Sequence, residues 1–193
     1  IGFDINPMSY WIVKQAIEHL DLDDYIQIAY SLRSQLEKEI GHLYRTRCVI
    51  CGTDEAHVKY FLWVKVIECR KCQESIDLFP GYLLSSDARH PKNVFICHGC
   101  GQLTEAADRR KPGVCQYCNA KLLIEGPAER NRCECRNCRT VNTFPNRTLG
   151  APKHRLFALE YFCTSCKDGH KGRFFKRPDS QDQDRVHEAE ERW

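Results

Sequence analysis

Six Cys-x-x-Cys pairs punctuate the chain: Cys48/Cys51, Cys69/Cys72, Cys97/Cys100, Cys115/Cys118, Cys135/Cys138 and Cys163/Cys166. Two residues between thiolates let one tight turn aim both sulfurs, and its own backbone N–H groups, at a single cation, so each pair is half of a tetrahedral site. Six halves make three sites, and tetrathiolate ligation of this kind is zinc chemistry. In chain order, the two pairs of each expected site are separated by 17, 14 and 24 residues. The first interval fits the usual zinc pattern, the second falls one residue short, and the third needs a longer hairpin loop. Consecutive pairing predicts three zinc ribbons in tandem: Cys48/Cys51 with Cys69/Cys72, Cys97/Cys100 with Cys115/Cys118, and Cys135/Cys138 with Cys163/Cys166. A strand entering the second knuckle of each favours this over interleaved pairing. The thirteenth cysteine, Cys133, is left over; it could replace Cys135 as a ligand, but only Cys135 keeps the two-residue spacing.

Four thiolates close a coordination sphere, so such metals hold structure and perform no reaction. A disulfide framework fits an odd cysteine count and vicinal pairing poorly, and no secretory segment precedes the pairs. Iron–sulfur clusters usually take tighter cysteine runs. The histidines beside the pairs, His98 and His170 among them, read as exposed loop residues rather than ligands.

The elements that must carry these sites are small. Of 193 residues, 42% are apolar and 28% charged, spread without a segment that would form one large core. Each ribbon is too small to be stable on burial alone, so metal must supply much of its folding free energy. The formal charge of +3 ignores the ligands: twelve thiolates holding three Zn²⁺ add about −6, leaving roughly −3. Any basic surface must therefore be local. No apolar run is long enough for a membrane span and nothing resembles a signal peptide, which predicts no membrane partner and a reducing cytoplasm.

Along the chain, Ile1 to Ile5 alternates like a strand, Asn6 suits a helix N-cap and Pro7 the first helical position. Val13, Ala16, Ile17 and Leu20 then share one face of a helix expected to be mostly buried. A second, amphipathic helix follows Asp21 or Asp23, with Ile28, Leu32, Leu36, Ile40 and Leu43 in its stripe, and ends near Gly41 to Tyr44. Strands are predicted over 60–67, 93–96 and 156–162, each running into a cysteine pair. Gly52 and Gly101 directly follow a second cysteine, where a knuckle favours positive φ. Asp179 to Trp193 is acidic and predicts a solvated helix. The fold class expected is α+β: 1–20 a strand-turn-helix edge, 21–45 a connecting helix, 46–92, 93–127 and 128–178 the ribbons, and 179–193 an acidic tail.

The run Ile1-Gly2-Phe3-Asp4-Ile5-Asn6-Pro7-Met8, the two helices, the ribbons and the segment from His154 through Cys163 and Cys166 to Lys176 resemble the middle of adenine-specific DNA methyltransferases that contain zinc ribbons. The resemblance implies a Rossmann-like edge in which Asp4 holds the ribose of S-adenosylmethionine while Asn6 and Pro7 shape the turn. It also implies ribbons inserted after the second strand and helix, with DNA and the remainder of the methyltransferase chain as partners. The glycine-rich loop and the Asp-Pro-Pro-Tyr type of run that such enzymes carry do not occur in these residues. An internal fragment, inactive by itself, is therefore expected, its parent transferring a methyl group to adenine N6, as in restriction-modification. A stand-alone zinc-ribbon module binding nucleic acid or protein is the alternative. The expected nucleic-acid contacts are Arg155, Lys171, Arg173, Lys176 and Arg177, from a locally basic stretch in which Phe174 and Phe175 either pack or stack on a base.

Overall fold

The computed structural model describes residues 6–144 and 153–192. Two compact units divide the chain, residues 1–42 and 43–193. In the first, the Asn6 side chain accepts a hydrogen bond from the Met8 amide and opens helix α1, Pro7–Ile17, with proline in its first turn. Asp21 caps helix α2, Leu22–Ile40, by accepting from the amides of Asp23 and Asp24. Both helices start where capping chemistry requires. The apolar face of α1, however, is exposed: Trp11, Val13 and Ile17 are all more than half accessible, and neither helix contains a buried residue. Two short helices offer no opposing layer, so periodicity alone did not bury this stripe.

The second unit is built from antiparallel strands: β1 Arg45–Thr46, β2 Ala56–Glu68, β3 Ser75–Asp77, β4 Leu83–Ser85, β5 Asn93–Ile96, β6 Leu103–Ala106, β7 Ala128–Glu129, β8 Arg132–Glu134, β9 Val141–Thr143, β10 Lys153–Phe162 and β11 Arg173–Lys176, with helix α3, Ser180–Glu191, at the end. The order β1-β2-β10-β11 forms the main sheet, and β3 pairs with β2. Two three-stranded sheets, β4-β5-β6 and β7-β8-β9, complete the unit. The fold is thus mixed α+β, with small antiparallel sheets.

Strand β2 is the spine. His57 to Ile67 contains no glycine, proline or asparagine to turn it, so it runs straight for 13 residues, roughly 40 Å at about 3.3 Å per residue. Strand β10 lies antiparallel along it from Val66↔Lys153 to His57↔Phe162, with bulges at Phe157 and Lys59. Three hydrophobic clusters surround the ladder, and each contains cysteines. Phe95, Phe157, Phe79 and Tyr82 pack with Cys97 and Cys115; Tyr161 and Phe174 pack with Cys48 and Cys163; Ile76 and Leu78 pack with Cys69, Cys133 and Cys135.

The acidic tail forms the expected helix, solvated except in its first turn. Asp179 caps α3 in a reciprocal box with Asp182, and Asp182 is only 2% exposed. Its carboxylate accepts from Thr46 Oγ1 at 2.6 Å and pairs with Lys176 Nζ at 2.8 Å. Lys176, also buried, donates in addition to Asp179, Thr46 and the Arg47 carbonyl. A buried ammonium is tolerated because every proton finds an acceptor. Replacing Asp182 by Ala should therefore destabilise the second unit by about 3 kcal/mol, since a buried cation loses its best-enclosed partner. Arg185→Ala, which removes only a peripheral contact to Asp182, should cost well under half as much in denaturant melts.

Candidate functional site

Five of the six cysteine pairs share one turn. The amide of the residue after the second cysteine donates to the first cysteine's carbonyl at Gly52, Gln73, Gly101, Asn119 and Arg139. Each of these residues has φ between 58° and 75°, so glycine is suited to two of the turns, while Gln73, Asn119 and Arg139 carry the strain of the left-handed region. The amides of Ile50, Gly99 and Tyr117 point at the sulfurs of Cys48, Cys97 and Cys115, each at 3.4 Å. The sixth pair, Cys163/Cys166, closes a tighter turn, with the Cys166 amide donating to the Cys163 carbonyl at 3.3 Å.

These turns converge into three tetrads: Cys48, Cys51, Cys163 and Cys166; Cys69, Cys72, Cys135 and Cys138; Cys97, Cys100, Cys115 and Cys118. All are free thiols. Sulfurs contributed by different pairs approach to 3.5–3.9 Å. Four sulfurs at about 2.3 Å from a tetrahedral zinc ion lie about 3.8 Å apart, so donor type and spacing both fit Zn²⁺. The twelve ligands expected from sequence are the twelve brought together.

Their pairing corrects the tandem expectation. Only Cys97/Cys100 with Cys115/Cys118 pairs consecutively; the other two sites are nested, the first and last pairs of the chain meeting outside the second and fifth. The cause is β2. A hairpin between Cys51 and Cys69 would need a turn where an uninterrupted strand runs, so the two knuckles lie beyond opposite ends of β2, and β10 brings Cys163 back beside Cys48. Cys133, on β8, is buried beside the second tetrad but belongs to none. Burial, with Cys69 and Cys135 as anionic neighbours, pushes its thiol up.

Each tetrad has one outside side chain donating to sulfur: Tyr161 Oη to Cys48 at 3.7 Å, Asn142 Nδ2 to Cys69 at 3.6 Å and Thr104 Oγ1 to Cys115 at 3.6 Å. All three donors are buried. The sulfurs they touch are thiolate-prone. Burial raises Cys48 and Cys115, but the N–H and hydroxyl donors more than offset it and bring each to about 6. The amides of Cys72 and Lys71, with Asn142, bring Cys69 to about 6 against its burial. Several tetrad mates move the other way: burial and proton sharing with neighbouring sulfurs lift Cys100 and Cys166 to about 12, and against the Glu74 amide, burial and sharing within its tetrad lift Cys72 to about 11. Metal-free tetrads thus retain protons that zinc must displace. Sequence reasoning missed Tyr161, Asn142 and Thr104, because nothing in their spacing marks a residue that reaches a sulfur from another strand.

The cofactor turn is only partly visible: Asp4 lies outside the described residues, and Asn6 and Pro7 serve as helix cap and first turn. The basic stretch is redistributed. Lys176 is buried in the α3 network, and Arg173 donates to the buried Glu160. Lys171 and Arg177 are exposed, and Arg155 pairs with Asp77. Phe174 is core, stacking on Tyr161 and on His170, and Phe175 packs its edge against His90. Arg155 and Arg177 instead line a cleft of about 720 Å³ with His98, Tyr82 and Arg136, the last inside the Cys135 knuckle. Arg136 donates to the His98 carbonyl and to the Tyr82 hydroxyl, and Arg177 donates to the Cys100 carbonyl. His98 is no ligand; its Nδ1 is buried without a partner.

Among the described residues, no helix is long and apolar enough to cross a membrane. No protein-family model, no curated protein and no solved structure matches the chain.

Two outcomes follow from the tetrads. Protein purified under reducing conditions should carry close to three zinc per chain by elemental analysis, and Cys133→Ala should keep all three. Tyr161→Phe should speed zinc loss to a chelator by about tenfold from one site of the three, since outer donors typically govern 10–100-fold of metal affinity.

Proposed function

We propose that the chain is part of an adenine-specific DNA methyltransferase in which the second unit is an inserted, zinc-stapled module that contacts DNA. The observation that carries this reading is the adjacency of the module's entry and exit. Thr46, on its first strand, hydrogen-bonds Asp182 on its last helix, and Lys176 bridges to the Arg47 carbonyl. A unit whose two ends lie side by side can interrupt a loop of another domain without disturbing it. The zinc sites suit that role: they are closed, supply stability to small cores and leave no coordination position for a reaction. The catalytic step belongs to the parent enzyme, where Asp4 would hold the ribose of S-adenosylmethionine and Asn6 and Pro7 would fix the turn.

Of the five cations expected from sequence, exposed Lys171 and Arg177, with Arg155 at the cleft, remain for phosphate contact. In the complete enzyme, exchanging residues 46–178 for a short linker should preserve S-adenosylmethionine affinity and weaken DNA binding. Lys171→Gln with Arg177→Gln should lower DNA affinity similarly for all sequences and flatten its salt dependence by about two contacts' worth. Loss of cofactor binding in the linker variant would argue against insertion, and unchanged DNA binding in both would favour a spacer or protein-docking role.

A further inference from the structure

Outside the tetrads, a fourth cluster of ligand-type side chains lies where the β5–β6 hairpin meets the turn before β11. His90, Glu105 and His170 bring one potential donor atom each within 4.8 Å of one another. Tetrahedral ligands at about 2.1 Å from a divalent ion lie about 3.4 Å apart, so side-chain rotation that draws the three atoms together would let one ion reach them all.

His90 is 4% exposed. Its Nε2 stands 3.2 Å from the Arg173 carbonyl, to which it can donate, and its Nδ1 lies 3.0 Å from the Lys92 carbonyl and accepts a long bond, 3.5 Å, from the Lys92 amide. With Nε2–H donating to the Arg173 carbonyl, Nδ1 keeps a lone pair held only by the long bond from the Lys92 amide, and a metal ion can take it. A nitrogen donating to a backbone carbonyl while the ring faces the ion is the usual outer support of a metal-bound histidine.

The other two members are arranged compatibly. Glu105 receives His170 Nε2 on one oxygen and Lys92 Nζ, at 3.1 Å, on the other, so one oxygen can ligate while the second stays paired. Burial alone would raise the Glu105 carboxyl, yet its bonds to Lys92 and His170 take it below the ordinary glutamate value, keeping it anionic. His170 and Lys171 adopt successive left-handed conformations, φ 51° and 52°, without being glycine. Strain of this kind persists where surrounding contacts hold a side chain in place.

We propose that His90, Glu105 and His170 form a fourth metal site, a two-histidine, one-carboxylate centre for a divalent transition-metal ion such as Zn²⁺ or Co²⁺. It differs from the tetrads in kind. Three nitrogen and oxygen donors leave coordination positions for water, so its ion exchanges readily and is lost first to chelators. Bound there, an ion would tie the hairpin carrying Glu105 to the turn that follows Cys166.

The test adds Co²⁺ to the full chain already holding three zinc, removes unbound ion by gel filtration, and reads metal content together with the cobalt spectrum. The expected result is one cobalt beside three retained zinc, with visible d–d absorption but without intense thiolate-to-cobalt charge transfer. His170→Asn, an exchange the left-handed backbone tolerates, and separately Glu105→Gln should each keep three zinc and weaken the cobalt equivalent at least tenfold. No uptake by the parent chain, cobalt bound only with thiolate charge transfer, or uptake unaltered in both variants would overturn the proposal and leave the three side chains as a hydrogen-bonded cluster.

Discussion

Everything in the second unit depends on four thiolates sharing one cation. Uncompensated, sulfurs 3.5–3.9 Å apart would repel as anions, and the metal-free tetrads answer this by keeping protons on Cys72, Cys100 and Cys166. Zinc bound in such tetrads would replace those protons and supply about 10–16 kcal/mol of apparent binding free energy, most of it available for folding. Each hydrophobic cluster is organised around cysteines of one tetrad. None of these small cores resembles a domain able to stand on burial alone.

The nested pairing shows which term decides topology. Bringing Cys48 to Cys166 closes a loop of 118 residues, against 21 for Cys97 and Cys118. Loop entropy makes the longer closure costlier by only about 1.5 kcal/mol, small beside the metal term. Stiffness of the intervening chain matters more. Between Cys51 and Cys69 lies a β-branched and aromatic run with no turn residue, and it prefers a long ladder with β10 to folding back on itself.

That preference also marks where sequence was legible. Ligand identity, the Asn6–Pro7 and Asp21 helix starts, strand β5 and the positive φ at Gly52 and Gly101 all follow from local chemistry, and local chemistry is written in neighbouring residues. Pairing between tetrads was not legible, because knuckle spacing is identical in every pair and the partner is chosen by a strand a hundred residues away. The exposed face of α1 was misjudged for a related reason: periodicity names an apolar stripe but not what covers it. Lys176 looked like a surface cation because a buried ammonium is visible only once Thr46, Asp179 and Asp182 converge on it.

The central claim is the nested arrangement, and counting metals in paired cysteine variants tests it directly. Cys51→Ala with Cys166→Ala removes two ligands from one nested site, so the purified chain should retain two zinc; Cys51→Ala with Cys72→Ala damages two sites and should retain one. Tandem ribbons would give the opposite counts, and that reversal would contradict the account.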